Sequence, residues 1–311
     1  MPKVSIIMRS RNDAWIIDRT LKGLQKQTFS DWELIHIDSD SDDDTAAKVK
    51  PYAHIQEIIH PSTYIPGKVL NRGAQLARGT LLIYLNSDCV PLDAHWLENM
   101  IAGLEQAPVI YGRQVARTDA MMQVQRDYLL AFPPHPRETH QTSTRWWRRN
   151  PSFENMFSMA CSGVRKDLWK AYPFHPTLRY SEDIEWALRI RRAGHQVLYV
   201  HNAVVEHSHN YDASSCYKRF FGEGTAEAAT FSQSPWERSF LRRAVIPYFS
   251  ALAHDLRYSL QHGNTDEWRQ SVWFRWSMHY GRYKGIQAQL HNNRTAFGAQ
   301  NPNARKKPRP E

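Results

Sequence analysis

The stretch Leu81-Leu-Ile-Tyr-Leu-Asn-Ser-Asp-Cys-Val-Pro91 decides the fold, because it joins an apolar run directly to a polar turn. Its first five residues have the length and character of a buried strand, and Asn86, Ser87 and Asp88 follow where that strand ends. In open α/β sheets, ligands bind beyond the carboxyl ends of the strands. The stretch therefore predicts a central strand that delivers a carboxylate, Asp88, to a ligand-binding edge.

The region around this strand, from residue 4 to about residue 115, alternates short β-branched runs with amphipathic helical stretches. After Asp13, for example, apolar residues recur at Ile17, Leu21 and Leu24. Such alternation is typical of an α/β fold with a mostly parallel central sheet and helices on both faces. The predicted strands are 4–8, 32–38, 55–60, 81–85 and 109–115, and helices are predicted after Asp13, after Gly67 and over 94–105.

The length of 311 residues allows one large domain with a smaller addition. We predict an α/β domain over residues 1–230, a helical and basic C-terminal region over 231–300, and a disordered basic tail over 301–311. A polar stretch rich in Pro, His and Arg at 133–155 is predicted to be a loop or lid.

Charge and cysteine content narrow the function classes. The formal net charge of +9 favours an anionic partner such as nucleic acid, anionic lipid or a diphosphate-bearing substrate. The cysteines Cys89, Cys161 and Cys216 form no C-x-x-C pair, so neither a zinc ribbon nor a disulfide framework is indicated, and a reducing cytoplasm fits best. No segment reaches the ~18 apolar residues that a membrane-spanning helix needs.

A second polar segment, Asp38-Ser-Asp-Ser-Asp-Asp-Asp-Thr45, follows the strand predicted at 32–38. It packs five carboxylates into eight residues, and their repulsion is costly unless cations or hydrogen-bond donors intervene. Asp38, at the strand end, is the member expected to point inward, where it can accept an N–H of a base. A solvated acidic turn that caps the next helix is the alternative.

The segment from Ser181 to Gly194 has the signals of a capped helix that ends at a glycine. Glu182 and Asp183 lie in its first turn, where the helix dipole favours ionised carboxylates. An ionised carboxylate suits a general base that takes a proton from a substrate hydroxyl. The ordinary chemistry of a helix N-terminus explains these residues equally well.

Asp88 and a pair of histidines are candidate metal ligands. Mg²⁺ or Mn²⁺ prefers oxygen ligands and commonly takes one or two protein carboxylates, leaving its other positions to phosphates and water. His207 and His209 lie two residues apart on a predicted strand, so both face the same side, open to a metal or a phosphate. A helix-capping Asp88 and structural or surface histidines are the alternatives.

Taken in order, seven segments resemble the inverting family 2 glycosyltransferases of GT-A fold, and within them the bacterial rhamnosyltransferase-like group. The segments are 4–12, 37–45, 71–74, 86–91, 111–114, 180–183 and 207–211. The resemblance implies transfer of a sugar from a nucleoside-diphosphate donor, such as a dTDP- or UDP-sugar, to a hydroxyl of a polysaccharide or lipid-linked glycan. A rhamnosyl donor is expected from the subgroup alone.

The resemblance also implies a role for each matching residue. Asp183 stands in the place of the catalytic base, supported by Glu182, and Asp38 in that of the carboxylate that contacts the donor's base. The other residues implied for the nucleotide sugar are Arg9, Asn12, Lys68, Asn71, Ser87 and Arg113, and those implied for a divalent metal, Mg²⁺ or Mn²⁺, are Asp88, Asn86 and His207.

The chain departs from the family pattern at two places. Asn86 stands where the first Asp of the Asp-x-Asp motif is expected, so the metal site loses one negative charge and weaker metal binding is expected. Met159 and Cys161 stand where asparagines are expected, which leaves the acceptor or sugar contacts at these positions open.

Three rival functions each fit part of the sequence. A nicotinamide dehydrogenase needs G-x-G-x-x-G after the first strand, where this chain has Arg9-Ser-Arg-Asn12. A sugar-phosphate nucleotidyltransferase needs a glycine-rich, lysine-bearing loop there. A non-enzymatic nucleic-acid-binding protein explains the charge and Arg145-Trp-Trp-Arg-Arg149 but not the aligned carboxylates, so no nucleic-acid partner is expected.

Basic and apolar residues stand side by side after residue 235, with Arg242 and Arg243 on one predicted helix face. Basic amphipathic helices bind the surface of anionic membranes. A solvated helix face is the more common explanation of such a pattern, so the expected location is the cytoplasm, and peripheral contact at the inner membrane is a hypothesis.

Overall fold

The computed structural model describes residues 1–136, 156–231, 238–263 and 265–300, with side chains described as far as residue 292. It divides into two compact units, residues 1–209 and 210–311. The predicted boundary after residue 230 stays a prediction about the extent of the α/β domain. Most of the predicted loop at 133–155 and all of the predicted tail at 301–311 lie outside the described residues.

Within the described part of the first unit, eight strands form one sheet, in the order β3-β2-β1-β4-β7-β6-β8-β5. Strands β1 to β4 run parallel, as do β6 and β8, whereas β7 is antiparallel to both of its neighbours and β5 is antiparallel to β8. The mostly parallel sheet predicted from the sequence is confirmed. The strands are β1 Val4–Ser10, β2 Trp32–Asp38, β3 Ile55–Ile58, β4 Leu81–Asn86, β5 Val90–Pro91, β6 Val109–Val115, β7 Cys161–Arg165 and β8 Val197–Glu206.

Both faces of the central strands are buried, which explains their nearly continuous apolar runs. In β4, Ile83 packs into a cluster with Trp96 on one face, whereas Leu82 and Tyr84 pack with Trp186 on the other. The helices of this unit are α1 Ile17–Gln25, α2 Thr45–Val49, α3 Pro66–Leu76, α4 Trp96–Gln106, α5 Met122–Ala131, α6 Lys166–Ala171 and α7 Glu182–Arg192, with a 3₁₀ turn at Pro61–Thr63.

Two local predictions were wrong. Ser181 precedes α7 with a φ of 54°, in the left-handed region, and its side chain makes no capping hydrogen bond, because that backbone turns it away from the first-turn amides. Strand β8 ends at Glu206, so His207 and His209 lie just beyond the strand and not on it. The predicted glycine at the end of α7 is confirmed, since Gly194 has a φ of 85°.

The second unit is helical in its described residues. It contains α8 Ala213–Thr230, a π-helical turn at Leu241–Val245, α9 Ile246–His262 and α10 Trp268–Gln300. Helices α8 and α10 approach closely at glycines: a Cβ on Gly224 would clash with the Arg282 carbonyl oxygen, and one on Gly285 would clash with that of Phe221. No helix in the described ranges combines the length and apolar character needed to cross a membrane.

A buried histidine makes the first unit sensitive to acid. His36 lies in β2 without solvent exposure, with its Nε2 2.7 Å from the Ser10 hydroxyl and its Nδ1 3.0 Å from Nε2 of Gln56. Burial lowers the pKa of His36 to about 4, although the Asp38 carboxylate opposes the shift. The folded chain therefore keeps this ring neutral at pH values where an unfolded chain, with a histidine pKa near ~6.5, binds a proton.

We expect this histidine to contribute stability that is complete above pH ~6.5 and is lost as the pH falls toward 4. Its share of the free energy of unfolding should be about 2 kcal/mol smaller at pH 5 than at pH 7. Urea unfolding at both pH values checks this. His36→Gln should show the smaller pH dependence and the control His60→Gln, at an exposed position, should not. An unchanged pH dependence in His36→Gln would contradict the assignment.

Candidate active site

Strand pairing gathers the predicted site residues at one edge of the sheet. Strands β1 and β4 are parallel neighbours and pair Arg9 with Asn86, while β1 and β2 pair Ser10 with Asp38. All of these residues stand at or next to the carboxyl end of a strand, where open α/β sheets bind ligands. The edge predicted from the 81–91 stretch is therefore present.

Arg9 links this edge to helix α7. Its Nε donates to Oδ1 of Asn86 at 2.9 Å, and its Nη1 donates to Oε1 of Glu182 at 3.1 Å and to the Tyr64 hydroxyl at 3.3 Å. Burial lowers the pKa of the Arg9 guanidinium, but the interactions with Tyr64 and Glu182 outweigh this effect, and the pKa lies above its ordinary value. Arg9 thus stays charged and fixes Glu182 beside the end of β4.

Asp183 follows Glu182 in the first turn of α7 and is half-buried. Its Oδ1 accepts a hydrogen bond from the amide of Ile184 at 2.8 Å, and its Oδ2 lies 3.4 Å from the amide of Met159. The carbonyl oxygen of Ala160, the residue after Met159, accepts a hydrogen bond from the backbone N–H of Asn86 at 2.9 Å. These contacts hold Asp183 close to the point where β4 ends.

A second cluster forms around Asp88. Oδ2 of this buried carboxylate lies 3.5 Å from Nε2 of His207 and 3.5 Å from Nε2 of His209, and the two imidazole nitrogens are 3.1 Å apart. Among the described residues, this oxygen has no hydrogen-bond partner although it is buried. Asp88 and His207, both predicted as metal ligands, are therefore adjacent, and His209 joins them.

The surroundings of His207 orient its ring toward Asp88. Nδ1 of His207 lies 2.8 Å from the side-chain oxygen of Gln114 and 3.2 Å from the Tyr128 hydroxyl. A carbonyl oxygen only accepts, so Nδ1 carries a proton, and the Nε2 atom of a neutral ring would offer its lone pair on the side of Asp88 and His209. This carbonyl–imidazole arrangement is the one that metal-binding histidines commonly have.

The Asp88 cluster fits a divalent metal ion. Two ligands at right angles, each about 2.1 Å from an ion, lie about 3.0 Å apart, close to the 3.1 to 3.5 Å between these three atoms. The Sγ of Cys89 also lies within 4.8 Å of the Asp88 and His207 donor atoms. Burial raises the pKa of the Cys89 thiol well above its ordinary value, so the sulfur stays protonated and is a poor ligand.

Two site residues escaped prediction from the sequence. Arg117 is buried with Nη2 3.6 Å from Oδ2 of Asp88, and it donates to the backbone oxygens of Asp88 and Ser208. Asp13 accepts a hydrogen bond from the Ser87 hydroxyl, and burial, with the nearby Asp88, raises the pKa of Asp13 above its ordinary value. The parallel pairing of β6 with β8 is the signal for Arg117, because it carries Arg117 and His207 to the same edge.

The acidic segment 38–45 is organised by serine and asparagine side chains. Asp38 points inward, as predicted, and is fully buried, but its oxygens accept hydrogen bonds from Ser10 and from the amide and hydroxyl of Ser41. The side-chain oxygen of Asn12, a residue with a φ of 55°, accepts a hydrogen bond from the backbone amide of Asp42 at 2.8 Å. Asp38 and Asn12 thus shape the loop beside the edge, and their contact with a nucleotide stays a prediction.

The remaining predicted residues lie apart from these contacts. The Asn71 amide group bonds Trp169 and the backbone of Phe174, so it anchors the segment after α6. Lys68 is exposed near the start of α3, and Arg113 is partly buried in β6. The side-chain oxygen of Asn86, a residue predicted as a metal ligand, accepts a hydrogen bond from Arg9, which also donates to Glu182.

A sequence model described as glycosyl transferase family 2 matches residues 5–172, more than half of the chain. The chain is a family 2 glycosyltransferase. Its matched segment contains Asp13, Asp38, Asn86 and Asp88, whereas the α7 and His207 parts of the site lie beyond it.

Curated relatives of this family 2 glycosyltransferase include two bacterial rhamnosyltransferases. The O-antigen chain rhamnosyltransferase WbaN of Salmonella anatum is 27% identical over 256 residues, which cover 77% of this chain and 76% of the relative. The O-antigen chain rhamnosyltransferase RfbN of Salmonella typhimurium strain LT2 is 25% identical over 252 residues, 76% of each chain.

Solved structures with the same GT-A fold match the chain over most of its length. The mannosyltransferase PcManGT from Pyrobaculum calidifontis, in complex with GDP-Man and Mn²⁺, has a TM-score of 0.60 at 16% identity and covers 94% of this chain and 88% of its own. TarS 1–349 from S. aureus, in complex with UDP-GlcNAc, has a TM-score of 0.55 at 16% identity and covers 96% and 92%. At these identities the likeness shows the fold.

The Arg9–Asn86 contact makes a specific prediction for the family 2 motif. Asn86→Asp rebuilds the Asp-x-Asp pattern, but the new carboxylate should pair with Arg9 and compete with Glu182. We expect Mn²⁺ affinity to change by less than about threefold and transfer activity to fall. Calorimetric titration with Mn²⁺ and a kinetic assay check this. Tightening of Mn²⁺ by tenfold or more would instead place residue 86 among the metal ligands.

Proposed function

We propose that this family 2 glycosyltransferase is an inverting enzyme that transfers a rhamnosyl group from a nucleoside-diphosphate donor to a hydroxyl of a cell-surface glycan. The observation that carries the proposal is that two clusters lie at the same sheet edge. One is the first turn of α7 with Asp183, where Glu182 is joined to Asn86 through Arg9. The other is the cluster around Asp88, two residues after Asn86 in the chain. The two Salmonella relatives named as O-antigen chain rhamnosyltransferases support the sugar.

In the proposed reaction, Asp183 acts as general base. Its carboxylate takes the proton of the acceptor hydroxyl while that oxygen forms a bond to the anomeric carbon of the donor. The bond between this carbon and the diphosphate oxygen breaks at the same time, and its electron pair leaves with the nucleoside diphosphate. A single displacement of this kind inverts the anomeric configuration.

Glu182, the residue before Asp183, is proposed to fix the helix turn that carries Asp183. The Glu182 carboxylate is paired with Arg9, so its charge is neutralised and it remains a fixed group at the start of α7. Asp183, whose Oδ1 is held by the Ile184 amide, keeps its orientation in the same turn. In this proposal Asp183 is the general base, and Glu182 is a positioning residue that holds the turn in place.

The diphosphate is proposed to bind at the Asp88 cluster. Asp88, His207 and His209 would hold a divalent ion, Mg²⁺ or Mn²⁺, which offsets the negative charge that develops on the leaving diphosphate. Arg117, 3.6 Å from Asp88, already compensates the one carboxylate of this cluster. The protein alone would therefore hold the ion weakly, and diphosphate oxygens would supply further ligands.

The remaining partners follow from the relatives and from the chemistry. A dTDP- or UDP-linked sugar is the proposed donor, with Arg9, Asn12, Asp38, Lys68, Asn71, Ser87 and Arg113 as the residues to test for nucleotide-sugar contact. The proposed acceptor is a polysaccharide or a lipid-linked glycan, and the proposed location is the cytoplasmic side of the inner membrane.

A donor screen tests this proposal. The enzyme is incubated with dTDP-rhamnose, UDP-GlcNAc, UDP-glucose and GDP-mannose with Mn²⁺, and release of the nucleoside diphosphate is measured. We expect dTDP-rhamnose to be consumed fastest, and a product whose anomeric configuration, determined by NMR, is opposite to that of the donor. Retention of configuration overturns the single displacement, and preference for another donor overturns the assignment of rhamnose.

A further inference from the structure

The net charge of this chain resides in its C-terminal part. Residues 238–311 contain 13 Lys and Arg against four Asp and Glu, whereas residues 1–237 contain 27 of each, so the whole excess of +9 lies after residue 237. All residues proposed for catalysis and for donor binding precede residue 238. The proposed reaction therefore does not require the excess of positive charge after residue 237, and the site residues described above do not account for it.

Helix α9 carries an exposed apolar stripe. Ile246, Phe249, Leu256 and Leu260 are 54%, 63%, 39% and 64% exposed, and with Ala253 they recur at intervals of three and four residues, on one face of the helix. Isolated exposed apolar residues are ordinary on protein surfaces, but a row of four large ones along a single helix face marks a contact surface.

Aromatic rings extend this stripe across the second unit. Phe249 contacts Tyr248 at a ring distance of 5.1 Å, Tyr248 contacts Trp276 at 5.4 Å, and Trp276 stacks on Tyr280 at 5.3 Å. Trp276 is 39% exposed. Tyrosine and tryptophan, with an apolar ring and a polar tip, are enriched where proteins meet the interface between lipid and water.

Along α9 the exposed arginines meet no exposed acid, although the exposed Asp266 follows the helix. Residues 238–263 contain a single acid, Asp255, which is fully buried and held by Arg275 through two hydrogen bonds of 2.7 and 2.8 Å. Helix α10 contains no Asp or Glu from Trp268 to Gln300. Arg242 and Arg257 are exposed beside the stripe. An approaching anionic surface therefore meets basic side chains and no acidic one along α9.

We propose that the α9 surface, consisting of Ile246, Phe249, Leu256 and Leu260 with the flanking Arg242 and Arg257, binds the surface of an anionic lipid bilayer. The apolar row enters the boundary between headgroups and acyl chains while the arginines contact lipid phosphates. Nucleic acid matches the charge but gives four large apolar side chains no place to be buried. A second copy would bring the same basic surface against this one, at a cost in repulsion.

Flotation of the full chain with lipid vesicles tests this proposal. Vesicles of phosphatidylcholine alone are compared with vesicles that contain about a third phosphatidylglycerol, at low and at physiological salt. The test variant is Phe249→Ser with Leu260→Ser, and the matched control is Ile58→Ser, at a position that is 60% exposed in the first unit. Arg257→Gln tests the charge separately.

We expect the wild-type chain to float with anionic vesicles and not with neutral ones, and the double variant to bind at least about tenfold more weakly. Arg257→Gln should weaken binding by a few-fold and make it less sensitive to salt, and Ile58→Ser should leave it unchanged. Circular dichroism and donor hydrolysis test whether each variant is folded and active. A failure of the membrane proposal is therefore distinct from a failure of the proposed reaction.

Three results would overturn the proposal. The first is wild-type binding to anionic vesicles that the double variant retains, or no wild-type binding at low salt. The second is a dimer, seen by light scattering, that the double variant breaks without any vesicle binding by the wild type. The third is salt-sensitive binding of duplex DNA that requires the same residues, again without vesicle binding.

Discussion

Asp183→Asn is expected to lower the rate of sugar transfer by about 10²–10⁴-fold while leaving donor affinity within about threefold of wild type. An amide cannot take the acceptor proton, so the attacking oxygen must lose it to water in the transition state. The donor binds before this step, and its diphosphate is proposed to lie at Asp88. Steady-state kinetics with a saturating acceptor, and calorimetric titration with the donor nucleotide, separate the two quantities.

Asp167→Asn is the matched control for this variant. Asp167 also lies in the first turn of a helix, α6, and its Oδ1 also accepts the amide of the next residue at 2.8 Å, as Asp183 does from Ile184. Any general effect of removing a carboxylate from a helix N-terminus is therefore present in both variants. Equal activity losses in the two, or a loss of less than about tenfold in Asp183→Asn, would show that Asp183 is not the base.

The sequence was sufficient to predict that the candidate residues at 86–88 and at Asp38 follow strand ends on one side of the sheet, because strand ends are set by the hydrophobic pattern. The 81–91 stretch located Asp88 at the edge of a parallel sheet, and the mostly parallel fold and family membership are confirmed. Pattern alone does not determine the direction in which a side chain points beyond a strand end. Asn86 and Asp88 are two residues apart, yet Asn86 contacts Arg9 whereas Asp88 faces His207.

The missed residues share a physical cause. Arg117 and Asp13 act through contacts between segments that are far apart in the chain, 29 residues in one case and 74 in the other. Neither residue stands in a motif or shows a periodicity, so only the strand order brings them to Asp88. His209 was recognised as a neighbour of His207, and the Nε2 atoms of the two rings lie 3.1 Å apart although strand β8 ends at Glu206.

Asp88→Asn is expected to lower transfer by about 10²–10³-fold and to abolish stabilisation by Mn²⁺ in the presence of nucleoside diphosphate. The substitution removes the one carboxylate oxygen that faces both histidines. It also removes the carboxylate charge that faces the buried Arg117, which keeps only its backbone acceptors at Asp88 and Ser208, and this should lower the free energy of unfolding by about 1–3 kcal/mol. Thermal melting with UDP or dTDP, with and without Mn²⁺, gives both effects.

Two further variants separate loss of the metal from loss of folding. His209→Gln keeps the Asp88–Arg117 pair and changes a side chain that is half exposed, so it should retain the melting temperature without metal and still weaken Mn²⁺ binding. Asp93→Asn, which alters an exposed carboxylate of the following turn, should change neither. If His209→Gln and Asp88→Asn both keep full Mn²⁺ stabilisation, the ion is held elsewhere, and the Asp88 cluster then serves the diphosphate through Arg117 and the histidines alone.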